Sequence, residues 1–202
     1  MYQTVGQTAV PMISKCMELP LYQQRLNGTA IDQSLEYKTT SGDETEDLFL
    51  LLSKAISEHP EINAVSVGAI LSSYQANRVQ NVCDRLGITM LAFLWQLDQI
   101  ELLDDMINSG MNSVLIKIAC IGLSKSDLVK SLAEMQPKLL KLNKMYGCHV
   151  CGEGGEFETF TLDCPLFKKR IQIDDWETVI HSDDAFAPVC FAKLTKLSLV
   201  DK

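Results

Sequence analysis

With 202 residues, 47% of them hydrophobic, the chain can bury a core and lies between one large domain and two small ones. Its 18 Lys and Arg stand against 26 Asp and Glu, a net charge of -8, so no basic stripe exists to neutralise a phosphate backbone and direct nucleic-acid binding drops out. No stretch approaches the ~18 apolar residues of a membrane span. Met1-Tyr2-Gln3-Thr4 shows no basic-then-apolar leader, and the seven cysteines, odd in number and mostly in apolar stretches, read as reduced core thiols of a cytoplasmic protein.

In chain order, Val10, Ile13 and Met17 recur at helical spacing and predict a short helix over Thr8 to Met17, with Pro11 tolerable in its first turn. Leu19 to Leu26 reads as a strand and the polar, aperiodic Asn27 to Ser41 as a loop. Asp43 to Ser57 presents an apolar face behind an acidic first turn and reads as a helix. Strand Ala64 to Gly68, helix Ser73 to Leu86 stopped by Gly87, and strand Thr89 to Phe93 follow. The pattern then repeats with helix Asp98 to Ser109, a stop at Gly110 and strand Ser113 to Ile118. Alternation at this spacing predicts a parallel sheet with helices on its faces. After a helical stretch from Ser126 to Tyr146, Phe157 to Leu162, Arg170 to Ile173, Glu177 to His181 and Val189 to Leu199 read as strands, an antiparallel C-terminal part. The expected division is a nucleotide-binding part over residues 1–97 and a substrate-binding part over 98–202.

Two segments carry chemistry. Cys151-Gly-Glu-Gly-Gly-Glu-Phe-Glu-Thr159 puts Gly152, Gly154 and Gly155 beside Glu153, Glu156 and Glu158, between a helix and a strand. Glycines admit positive φ and close approach to the main chain. If a strand begins by Glu156, Glu156 and Glu158 share a face and could bind Mg²⁺, hold a cation or move a proton. A solvated acidic hairpin is the plainer reading. Cys148-His149-x-Cys151 lacks a second ligand pair at zinc-site spacing and reads as a buried strand rather than a metal site.

The second segment is Gly68-Ala-Ile-Leu-Ser-Ser-Tyr-Gln-Ala-Asn-Arg78, a strand running into a helix N-terminus, where free N–H groups collect anions. Tyr74 and Arg78 share a helix face. Ser72-x-x-Gln75 also reads as a plain capping box, and Arg78 as a solvated side chain. There is no G-x-x-x-x-G-K-[ST] loop, no G-x-G-x-x-G opening a helix, and no G-x-S-x-G elbow.

Gly152-Glu-Gly-Gly-Glu-Phe-Glu-Thr-Phe-Thr-Leu-Asp-Cys-Pro-Leu-Phe167 resembles the signature of the diphthine-ammonia ligase family of N-type ATP pyrophosphatases. Val67-Gly-Ala-Ile-Leu-Ser-x-Tyr-Gln-x-x-Arg-Val79, Asn81-Val-Cys-x-Arg-Leu86, Leu91-Ala-x-Leu-Trp95 and His181-Ser-x-Asp-Ala-Phe-Ala-Pro188 follow the same family in its order, so the resemblance covers essentially the whole chain.

The resemblance implies a cytoplasmic enzyme that uses ATP, with Mg²⁺, and ammonia to convert diphthine on translation elongation factor 2 into diphthamide. The carboxylate would be adenylated and then aminated, releasing AMP and pyrophosphate. It also implies a sheet of the adenine nucleotide alpha hydrolase-like (HUP) type. Glu153, Glu156, Glu158 and Thr159 match the acidic motif, and Ser72, Tyr74, Gln75 and Arg78 the second motif. The two segments are expected to face one cleft. Tyr74, Trp95 and Phe157 are the nearby aromatics for diphthine's trimethylammonium group.

The family opens with a strand and a Ser-Gly-Gly-x-Asp-Ser phosphate loop, and this sequence starts after them, which implies an N-terminally truncated sheet with two exposed edges. Gln80 stands where the family has an acidic residue. A catalytically inactive form, acting as a substrate-binding or interaction module, is the alternative.

Overall fold

A computed structural model describes residues 2–202. In chain order these form a short 3-10 turn Gln7–Ala9, α1 (Val10–Met17), α2 (Glu44–Glu58), β1 (Ala64–Ser66), α3 (Ser73–Leu86), β2 (Thr89–Leu91), α4 (Gln99–Asn108) and β3 (Asn112–Ile118). A second 3-10 turn Lys125–Asp127, α5 (Leu132–Tyr146), β4 (Phe157–Asp163), β5 (Lys169–Ser182) and β6 (Val189–Asp201) complete the chain. The architecture is mixed α/β with one small parallel sheet and one antiparallel sheet.

The chain divides into two compact units, Leu21–Leu97 and a second made of Tyr2–Pro20 with Asp98–Lys202. Residues 2–20, grouped above with the first part, thus belong with the second.

In the first unit, β1 and β2 pair in parallel, Ala64 opposite Thr89 and Ser66 opposite Leu91. The helices start where their caps dictate. Asp43 accepts from Thr45 N before α2, and Ser72 accepts from Gln75 N before α3, which ends at Gly87 with φ 68. The expected strand over residues 19–26 is absent. Pro20 offers no N–H, and Leu19, Leu21 and Leu26 are all exposed, so that segment has no apolar face to bury.

Residues 27–41 form a loop, as their composition predicts, but a tightly held one. Buried Asp47 accepts from the N–H groups of Asn27 and Gly28 at 2.8 Å, and Asp43 accepts from Ile31 N at 2.9 Å and Asp32 N at 3.0 Å. The N-terminal turn of α2 therefore fixes the loop through its carboxylates.

In the second unit the sheet order is β4-β3-β6-β5, all antiparallel. This corrects the expectation that β3 continues a parallel sheet. Hydrophobic period identifies β3 as a strand but not its partners. Its run Ser113–Ile116 is buried because β4 and β6 flank it. The two stretches read as strands within 170–181 are a single β5, its ladder with β6 interrupted by register shifts near Asp175. α5 begins later than expected, at a capping box between Ser131 and Glu134.

Both hydrophobic clusters of the described residues lie in this unit. One gathers Leu103, Leu115, Ile118, Met135, Leu139, Val150 and Phe157. The other gathers Ala9, Cys16, Val114, Ile116, Phe160, Phe167 and Ile171, seating α1 on the sheet. Within the first cluster, Cys120 and Cys148 bring their sulfurs together, where the sequence suggested separate thiols. Their Cα atoms are 7.2 Å apart, beyond the roughly 4.4–6.8 Å a disulfide spans without backbone movement, so the two are neighbouring thiols.

Candidate active site

The acidic turn joins α5 to β4. After α5 ends at Gly147 (φ 71), the backbone folds through two successive turns in which Gly152 N donates to His149 O and Gly155 N to Gly152 O, both at 3.0 Å. Gly152 has φ 76, and a Cβ there would sit 2.7 Å from the carbonyl oxygen of Phe157. Only glycine fits. Gly154 has a different reason: a Cβ would lie 2.8 Å from Glu156 Oε1, so its missing side chain is the space the Glu156 carboxylate occupies.

Glu156 precedes β4 and is half-buried. Its Oε1 accepts from His149 N at 2.7 Å, and its carbonyl accepts from Ala119 N at 2.8 Å, so the residue ties the turn to the end of β3. Its Oε2 is buried and has no hydrogen-bond partner. Glu153 is half-buried between Gly152 and the exposed Gly154.

Glu158 is engaged elsewhere. It sits opposite Lys117 in the β3–β4 ladder and forms an ion pair with its Nζ at 2.9 Å. Thr4 Oγ1 donates to the same oxygen at 2.5 Å, while the N–H groups of Thr4 and Val5 donate to the other at 2.8 and 3.1 Å. Burial opposes the negative charge, but these donors outweigh it and hold the carboxyl below its usual range. Glu158 thus clasps the N-terminal segment. It and Glu156 take unrelated partners rather than working as one pair, and the described residues contain no group of three or more His, Cys, Asp or Glu arranged to hold a metal ion. Beside Glu158, Thr159 offers its carbonyl to Gln3 Nε2 at 3.2 Å.

The second motif lies in the first unit. Ser72 caps α3, with Gln75 N donating to its hydroxyl at 3.3 Å. Arg78 is fully buried, which rules out the solvated side chain that was the plainer of its two readings. Its guanidinium donates to the carbonyls of Asp32, Ser34 and Tyr74, those to Ser34 and Tyr74 at 3.2 Å. It lies 3.3 Å from the Tyr74 ring centroid and 5.2 Å from that of Tyr37. Arg78 therefore clamps the 32–37 loop to α3, and its Nε and the Tyr74 hydroxyl remain buried without partners. Of the aromatics expected at a quaternary ammonium, Phe157 is core at 4% exposure and Tyr74 gives its face to Arg78.

Sequence reasoning missed His149 as a polar participant and Lys117 and Thr4 as partners of Glu158. The donors to Glu158 come from 154 and 41 residues away, a distance no local motif records.

Residues 98–194 match the family described as the diphthamide synthase C-terminal domain. The whole chain is 56% identical to a protein named diphthine–ammonia ligase from Danio rerio, covering 79% of that protein. It is 53% identical to the protein of that name from Mus musculus, covering 76% of it. Identity to the Schizosaccharomyces pombe protein of the same name is 54%, over 33% of its length. The chain belongs to the diphthine–ammonia ligase family. It spans a third of the S. pombe relative and about three quarters of the two vertebrate ones.

Proposed function

We propose that the chain carries the amidation chemistry of a diphthine–ammonia ligase: ATP adenylates the carboxylate of diphthine on translation elongation factor 2, and ammonia displaces AMP to leave diphthamide. In the first half-reaction a carboxylate oxygen attacks the α-phosphorus and pyrophosphate departs. In the second, the ammonia nitrogen forms the C–N bond, the C–O bond to AMP breaks with its electron pair, and a base takes the surplus proton. The observation that carries this reading is the half-buried Glu156 carboxylate, held by His149 N in the space that Gly154 leaves open, with its second oxygen unsatisfied. A carboxylate so fixed is suited to take that proton.

Glu153 is the second carboxylate assigned to the reacting end, with Gly152, Gly155 and Thr159 as backbone contacts. The β1–β2 sheet and the N-terminus of α3, with Ser72 and Gln75, form the adenine nucleotide alpha hydrolase-like portion that receives the nucleotide; Tyr74 and Arg78 hold the loop beside it. Magnesium enters with ATP, carried mainly by the phosphates. Glu158, saturated by four donors, is poorly suited as its ligand. A cytoplasmic location accords with an elongation-factor substrate, and none of the described helices is long and apolar enough to cross a membrane.

The test incubates the chain, and a form extended to the length of its relatives, with ATP, ammonium and diphthine-bearing elongation factor. Diphthine-dependent release of AMP and pyrophosphate from the extended form is expected. Binding of the elongation factor without any such release would favour the interaction-module alternative.

A further inference from the structure

The stretch from His181 to Pro188 carries part of the family resemblance but no step of the reaction above, and the sheet topology sets it beside the acidic turn. β3 and β5 end, and β4 and β6 begin, at the same end of the antiparallel sheet. The acidic turn leads into β4, and residues 183–188 join β5 to β6. The segment that leaves β3 is held between the two: Ala119 N donates to Glu156 O at 2.8 Å, and Gly122 N donates to Phe186 O at 3.4 Å. Three adjoining loops thus share one face. Cys190, opposite Ile118 on β6, lies two strand spacings from β4, roughly 10 Å from the acidic turn.

Two features of the 183–188 loop point to a partner. Phe186 is 75% exposed although its backbone is pinned on both sides, its N–H donating to Asp184 Oδ1 at 2.8 Å and its carbonyl accepting from Gly122. A fixed backbone that holds an aromatic in water suits a binding anchor, because little freedom is left to lose on association. The second feature is a cleft of about 310 Å³ next to it, with Ile180 and Pro188 as apolar lining, Cys190 as floor, and Asp183, Asp184 and Lys125 as charged lining. Two carboxylates against one ammonium leave the cleft negative. The Ala187 and Phe186 N–H groups hold the Asp184 carboxyl below its usual range, so its charge is secure. A long basic side chain fits this lining, its methylene stem along Ile180 and Pro188 and its charged head at the carboxylates.

We infer that this face docks the protein substrate of the proposed reaction, the cleft taking a lysine or arginine of that protein while Phe186 packs on its surface. Roughly three residues of extended chain span 10 Å, which sets the separation between that basic residue and the diphthine residue at the acidic turn. The inference rests on the ligase reading.

The experiment measures binding of diphthine-bearing elongation factor to the extended protein by calorimetry, and turnover by amide formation. Asp183→Lys and Phe186→Ala are each expected to raise Kd and KM for the factor at least tenfold, while KM for ATP and kcat at saturating factor stay within about twofold. Both side chains are exposed, and unchanged circular dichroism is expected of both variants. Glu177→Lys makes the same charge change on β5 outside the cleft and is expected to alter Kd by less than about twofold. Equal weakening by Glu177→Lys and Asp183→Lys would reduce the effect to general charge attraction and overturn the cleft. Unchanged Kd and KM in both cleft variants would overturn the docking face. Loss of self-association in Phe186→Ala, with factor binding intact, would assign the face to a second copy instead. Binding of the factor by the unsubstituted protein without turnover would overturn the ligase reading alone, the Kd comparison still deciding the docking face. Absence of binding would overturn both.

Discussion

The glycines of the acidic turn separate two kinds of constraint. Gly152→Ala meets positive φ and a backbone oxygen at 2.7 Å, neither of which can yield, and is expected to destabilise the second unit by about 1–3 kcal/mol. Gly154→Ala meets only the end of the Glu156 side chain, which can swing away. Its stability should change by less than about 1 kcal/mol while amide formation falls by tenfold or more. Urea denaturation and turnover measured on both variants check the contrast, and a Gly154→Ala protein with full activity would detach Glu156 from the chemistry. Glu158 predicts the reverse. Glu158→Gln should cost about 1.5–3 kcal/mol at neutral pH by weakening the charge-assisted bonds to Thr4, Val5 and Lys117. Because the folded carboxyl titrates below its unfolded value, that contribution is present above the unfolded pKa and disappears as pH falls through the folded one. The stability gap between the parent and Glu158→Gln should therefore close in acid, which denaturation midpoints from pH 7 to pH 3 would show. The turn itself was legible in the sequence from its glycines and carboxylates. The division of labour among its three glutamates was not, because it depends on partners drawn from β3 and the N-terminal segment.

At the scale of elements, local signals served well at most of the caps that set a boundary. Asp43, Ser72 and Asp98 each start a helix where the sequence placed it, and Gly87 and Gly147 each end one, whereas the capping box at Ser131 starts α5 later than the sequence reading placed it. What the sequence withheld was pairing: nothing within 112–118 distinguishes a third parallel strand from the centre of an antiparallel sheet. It withheld also the order of the 27–41 loop, whose polar composition conceals a scaffold of carboxylates from α2 and the guanidinium of α3. Arg78→Lys tests that scaffold. An ammonium cannot reproduce a fork that serves three carbonyls, and the loop should loosen at a cost of about 2–4 kcal/mol. Limited proteolysis is expected to cut within 30–40 in the variant while the helical circular dichroism of α2 and α3 persists. A loop equally resistant in both proteins would show that Asp43 and Asp47 suffice without Arg78.

Over the whole molecule the two units rest on different forces. The second holds both hydrophobic clusters, whereas the first buries the polar residues Asp43, Thr45, Asp47 and Arg78 alongside a smaller apolar set. Hydrophobic burial dominates folding free energy, so the first unit should open more readily. Native-state hydrogen exchange is expected to show amides of α3 exchanging through openings about 2 kcal/mol or more below those of β3. Equal protection in the two elements would mean that the polar scaffold stabilises as much as the apolar core. The clasp on Glu158 has one further consequence, for the order in which the chain is made. Thr4 leaves the ribosome 154 residues before the carboxylate it binds, and the entire first unit, Leu21–Leu97, is synthesised in between. That unit can assemble while translation continues. Residues 2–20 cannot dock until β4 emerges, so α1, with the contacts of Cys16 and of the adjacent Ala9 unmet, must stay exposed while residues 21–156 are made, and the second unit completes only after the first can have folded.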